Sequence, residues 1–69
     1  NANVSFARQI SMYVVREITQ MPMVEIGKEF GGRDHSTVVY AIQQIEEKSA
    51  RDPVTKATVS DIIKNIRDR

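Results

Sequence analysis

The stretch Phe30-Gly31-Gly32-Arg33-Asp34-His35-Ser36-Thr37-Val38 decides how the chain folds. An apolar pattern at helical spacing stops at the two glycines, and a second begins immediately after the polar cluster. Gly-Gly can take the left-handed backbone angles that end a helix without a Cβ penalty. Asp34 is a residue type preferred just ahead of a new helix. The stretch therefore reads as a sharp helix-turn-helix joint with a turn at 31–33. At that joint stand a cation, an anion, an imidazole and two hydroxyls.

Outward from the joint, the preceding helix is expected at about 23–30. Met23, Ile26, Gly27 and Phe30 fall at i, i+3, i+4 and i+7. A glycine on a buried helical stripe costs roughly 1 kcal/mol against alanine, so Gly27 implies close approach of another helix. The following helix is expected over 34–50, with Val38, Ala41, Ile42 and Ile45 as its buried stripe. Ser36, Tyr40, Gln43 and Glu47 then lie on the opposite side, flanked near the start by Arg33 and Thr37. Its amino half is polar but nearly free of long acidic side chains, because Glu46 and Glu47 come only toward the far end. The helix dipole is also positive at the amino end.

A first helix reads from about Phe6 to Thr19, with Phe6, Ile10, Tyr13, Val14 and Ile18 on one stripe. Arg8, Gln9 and Arg16 lie off that stripe, as residues of a solvated helix face do. Met21-Pro22-Met23 breaks the pattern. Asp52 and Pro53 stop the third helix and start a fourth as N-cap and first residue. Val59, Ile62, Ile63 and Ile66 are the expected stripe of this last helix, which closes the core. Residues 1–5 carry no periodic pattern, and the chain opens without methionine. They are read as a lead-in from an upstream domain, with one helix-turn-helix domain over 6–69. The fold class is all-α, a small four-helix domain.

Composition narrows the function classes. Hydrophobic residues are 41% and charged residues 28% of the 69, which is globular rather than disordered composition. Without cysteine there is neither a disulfide framework nor a thiolate metal site. No run is long and apolar enough to span a membrane, and no signal-peptide pattern opens the chain. The expected setting is cytoplasmic. Ten basic against nine acidic residues give a net charge of +1, so any positive surface must arise from placement. A single histidine and no nucleophile–base pairing leave no catalytic constellation. The P-loop spacing is absent, and His35 lacks partners for a metal. No catalytic residue, metal or cofactor is expected in these residues.

The joint itself admits two readings. In one, Asp34 caps, Ser36 and Thr37 satisfy first-turn amides, and His35 is an ordinary surface residue. In the other, the first turn of a recognition helix meets base edges in duplex DNA. His35 can donate or accept there, Asp34 can accept from an exocyclic amine, and Ser36 and Thr37 can bond phosphate or bases.

A wider pattern joins these residues. Ala7-Arg8-Gln9-Ile10-Ser11-Met12-Tyr13, followed by Glu25-Ile26-Gly27-Lys28-Glu29-Phe30-Gly31-Gly32-Arg33-Asp34-His35-Ser36-Thr37-Val38, closely resembles the C-terminal DNA-binding domain of the bacterial replication initiator DnaA. The resemblance runs from Arg8 into the last helix, and the Gly-Gly-Arg-Asp-His run is specific to that family. It implies sequence-specific binding of short, asymmetric, A/T-containing origin boxes, one monomeric domain per box. By the same resemblance, Asp34, His35 and Ser36 would read base edges, and Met23 and Val24 would touch thymine methyls. Arg8, Gln9, Arg16, Thr19, Arg33 and Thr37 would hold the DNA backbone. ATP and magnesium would belong to an upstream ATPase domain.

Three departures from the family pattern stand out. Ser36 replaces the usual threonine and would lose a methyl contact with thymine. Val24 stands at the usual proline position, with Pro22 two residues earlier. Asn1 to Ser5 hold no Arg or Lys, so the family's basic minor-groove arm is expected upstream of them or absent. Adding native upstream residues should then raise affinity. Two other readings are a helix-turn-helix transcription regulator and a helical protein-interaction module, the latter indifferent to duplex DNA.

Overall fold

Three interruptions divide the chain into four helices in the computed structural model, which describes residues 2–69 and side chains from Val4 onward. Helix α1 spans Ala2–Thr19, α2 Met23–Glu29, α3 His35–Arg51 and α4 Pro53–Arg67. No strand occurs among the described residues. The first interruption turns on Gln20, which takes the left-handed region at φ 58° while its amide still donates to the Arg16 carbonyl at 2.9 Å. The second contains Gly31 and Gly32 at φ 87° and 74°. The third is a single residue, Asp52. Its Oδ1 accepts from the Val54 amide at 3.1 Å and its Oδ2 from the Thr55 hydroxyl at 2.7 Å. Pro53 opens α4 at the position where its missing N–H costs nothing.

Helix α1 packs against the other three helices, while α2 and α4 each rest on α1 and α3 without touching one another. Met12, Ile26, Val38 and Ile45 are completely enclosed, each contributing about 1.5–3 kcal/mol by burial. One cluster joins Met12, Ile26, Val38, Ala41 and Ile42, with Tyr13, Val15, Met21, Met23 and Phe30 packed around it. On the α4 side, Val14, Ile45 and Val59 are buried. The Arg67 Nη2 donates to the Glu17 carbonyl at 3.2 Å, fastening α4 to α1.

The expected stripe of α3 holds, with Val38, Ala41, Ile42 and Ile45 all buried, while in that of α2 Ile26 and Gly27 are buried and Met23 and Phe30 half-buried. Helix α1 departs from expectation. Only Val14 of its proposed stripe is fully buried, whereas Met12, almost opposite on the helix, is wholly enclosed. A helix with neighbours on several sides has no single apolar face, so one stripe could not describe it. In α4 the buried residues are Thr55 and Val59. Ile66 is exposed, on the side of the last turn that no other helix covers. Residues 2–5 extend α1 beyond its expected start at about Phe6, since nothing in Ala2 to Ser5 breaks a helix. Asn1 lies outside the described residues. Helix α2 ends at Glu29 with Phe30 as its C-cap, and α3 begins at His35 and reaches Arg51.

Candidate nucleic-acid interface

The joint is held by its backbone. The Phe30 amide donates to the carbonyls of Ile26 and Gly27 at 3.1 and 3.2 Å, and the Arg33 amide returns to the Gly27 carbonyl at 2.8 Å. Gly27 also faces the Arg33 carbonyl so closely that a Cβ would collide with that oxygen. The same Cβ would lie 3.2 Å from the Arg33 carbonyl carbon. Open space surrounds Gly31 and Gly32. Their requirement is the positive φ, whereas that of Gly27 is room.

Asp34 sits at the N-cap of α3 with extended backbone angles, and its carbonyl accepts from the amides of Thr37 and Val38 at 3.0 and 3.3 Å. Its carboxylate makes no capping hydrogen bond. The structure thus takes the backbone part of the capping reading and leaves the side chain unused. Asp34, His35 and Ser36 are exposed, and Thr37 is half-buried. None of the four side chains has a hydrogen-bond partner among the described residues. The His35 and Ser36 amides have no acceptor among the described residues either, as befits the first turn of a helix. Beyond them the outer face of α3 continues through Tyr40, which is 57% exposed, and Gln43 to Glu46 and Glu47. The long acidic side chains of this helix thus lie on its carboxyl half, away from the first turn.

Helix α2 presents its amino end through Val24, which is 50% exposed. Met23 is half-buried against the core cluster. Pro22 is the N-cap at φ −57° and ψ 143° and offers no side-chain acceptor. Nearby on α2, Lys28 pairs with Glu25 at 3.4 Å in full solvent, an arrangement worth little.

On α1, Arg8, Met12 and Arg16 stand at i, i+4 and i+8, one line along the helix. Met12 is enclosed in the cluster with Ile26 and Val38, and the arginines on either side of it along α1 are half-buried. Arg8 and Gln9 are half-buried with no side-chain partner among the described residues, and the Arg33 guanidinium is exposed and equally unengaged. Two of the expected backbone contacts are already employed. The Arg16 Nη1 donates to the carbonyls of Gln20 at 3.1 Å and Met21 at 2.7 Å. The Thr19 hydroxyl donates to the Val15 carbonyl at 2.6 Å and accepts from the Met21 amide at 3.1 Å.

Sequence reading missed the enclosure of Met12, between Arg8 and Arg16 on α1, and the engagement of Arg16 at the α1–α2 corner. The i, i+4, i+8 spacing of Arg8, Met12 and Arg16 sets Met12 in a polar arc, which masked the first. Nothing local signalled the second.

The structure therefore offers a helix-turn-helix whose second helix carries unengaged polar groups in its first turn. No helix among the described residues is long and apolar enough to cross a membrane. No group of three metal-binding side chains occurs among those residues. No solved structure matches the chain. The family model for the bacterial dnaA protein helix-turn-helix matches residues 1–45, covering α1, α2, the turn and α3 as far as Ile45. The rest of α3 and all of α4 lie beyond the match, which is shorter than the resemblance read from the sequence. The chain belongs to the bacterial DnaA helix-turn-helix family, whose domain binds DNA in replication initiation.

Proposed function

We propose that the domain binds short, asymmetric, A/T-containing DnaA boxes in duplex DNA, as a monomer with one domain per box and in the cytoplasm. The observation that carries the reading is the first turn of α3. Exposed Asp34, His35 and Ser36 have no side-chain partner among the described residues, and the His35 and Ser36 amides have no acceptor among them. Buried stripes explain the rest of α3, but folding gives these groups no task.

In this reading Asp34, His35 and Ser36 contact base edges in the major groove. Val24 meets a thymine methyl, with Met23 behind it. Arg8, Gln9, Arg33 and Thr37 hold phosphates on either side, and Arg16 and Thr19 join them with whatever donor capacity the α1–α2 corner leaves. Backbone contacts of this kind set register while base contacts specify sequence. Glu46 and Glu47 favour an approach by the amino end of α3. ATP and magnesium would act in an upstream domain, and no turnover is assigned to these residues.

The test is binding to a short duplex bearing a DnaA-type box and to a scrambled duplex of equal composition, across a salt series. Preference for the box that persists at physiological salt is expected. Equal, steeply salt-dependent binding to both duplexes would leave only electrostatic attraction and overturn the box-reading role.

A further inference from the structure

We infer that Arg16 is a positioning residue of the DNA-reading surface, acting on Val24 through the chain corner between α1 and α2. The inference rests on the proposed function and assigns Arg16 a part beyond phosphate binding.

Helix α2 has seven residues, too few to hold itself in water. Its N-cap is Pro22, which offers no side-chain acceptor, so nothing within α2 fixes its own amino end. The corner leading to it contains Gln20 in the left-handed region, an unfavourable place for a side-chain-bearing residue. Arg16 spans this corner. One guanidinium nitrogen donates to two successive carbonyls, those of Gln20 and Met21. From the other side, the Thr19 hydroxyl receives the Met21 amide. Both backbone groups of Met21 are thus tied to α1, and Met21 itself packs against the core cluster. Three residues later comes Val24, the exposed apolar residue at the amino end of α2.

A guanidinium has five N–H donors in a rigid fork. With Nη1 directed at the two carbonyls, donors on Nε and Nη2 remain for a phosphate oxygen. Grip on the DNA backbone and placement of α2 would then pass through one planar group. Lysine keeps the charge, but its terminal nitrogen reaches one bond less far and it lacks the fork.

The experiment compares Arg16→Lys and Arg16→Met, each alone and combined with Val24→Ala, on box and scrambled duplexes. Amide hydrogen exchange is measured on the free proteins alongside. The probe amide is Ile26, which donates to the Pro22 carbonyl at 3.1 Å in the first turn of α2. Arg16→Lys should largely keep the salt dependence yet lose box preference about fivefold, and the loss should shrink when Val24 is already alanine. Exchange at Ile26 should accelerate about tenfold in Arg16→Met. Additive losses, equal for both duplexes, with Ile26 exchange unchanged would reduce Arg16 to a phosphate contact and overturn the inference. If the parent protein lacked box preference, the proposed function would fall. Ile26 exchange would then decide alone, with acceleration supporting the latch and no change removing it.

Discussion

The Gly27 carbonyl receives the Arg33 amide at 2.8 Å, and the Arg33 carbonyl in turn lies where a Cβ on Gly27 would be. These two residues hold the helix-turn-helix shut. Helix propensity alone would favour Gly27→Ala by about 1 kcal/mol. Collision with a main-chain oxygen fixed by its own hydrogen-bonded turn opposes that gain, and overpacking of this kind typically costs about 1–3 kcal/mol. Gly27→Ala should therefore lower stability by about 1 kcal/mol net in urea denaturation. A variant as stable as the parent would mean that the turn can move aside freely.

His35 and Arg8 should fail in different ways. His35→Ala should cost roughly 1–3 kcal/mol on the box and relax specificity at one base pair. Arg8→Ala should weaken every sequence alike and reduce the salt slope by about one. Titrations against a box, single-base variants and a scrambled duplex distinguish the two. Equal losses on all duplexes for both variants would remove His35 from the base-reading set.

Gln20 pays a backbone penalty that glycine would avoid. The left-handed conformation costs a side-chain-bearing residue about 1–2 kcal/mol, partly offset by the extra chain entropy glycine loses on folding, about 0.5–1 kcal/mol. The side-chain bond from Gln20 Nε2 to the Glu17 carbonyl, 3.3 Å and exposed, adds little. Gln20→Gly should raise stability by about 0.5–1 kcal/mol, read as a higher denaturation midpoint. The carbonyl that Arg16 holds is retained, so DNA binding should be unchanged.

The sequence was most legible where one local rule acted alone. The period of Val38, Ala41, Ile42 and Ile45 announced α3 and its buried face, because α3 turns one side to the core and the other outward. Gly31-Gly32 and Asp52-Pro53 marked helix ends through backbone chemistry that needs no neighbours. Helix α1 was less legible, since its environment comes from three other helices. Met12 could not be separated from the polar arc it shares with Arg8 and Arg16 until α2 was seen to cover it. The latch at Arg16 was hidden for a related reason. Its acceptors are main-chain carbonyls in a corner made by a glutamine at positive φ, a conformation no residue type there announces. Asp34 shows the converse case, in which the residue type correctly located the helix start although its carboxylate forms no cap.

The acid limb of stability should be traceable to Asp52. The hydrogen bond from the Thr55 hydroxyl, then the one from the Val54 amide, holds its carboxyl below the ordinary value of 3.8. A carboxyl whose folded value is depressed contributes stability that is fully present above the unfolded value. That contribution is lost as pH falls through the folded value. Asp52→Ala should therefore be less stable than the parent at neutral pH, through loss of the α4 cap. The gap should narrow progressively as pH drops below 3.8. Thermal unfolding of both proteins at neutral pH and at several acid values checks this. A gap of constant size down to the lowest pH would show that the cap works through neutral hydrogen bonding and packing, with no contribution from the charge.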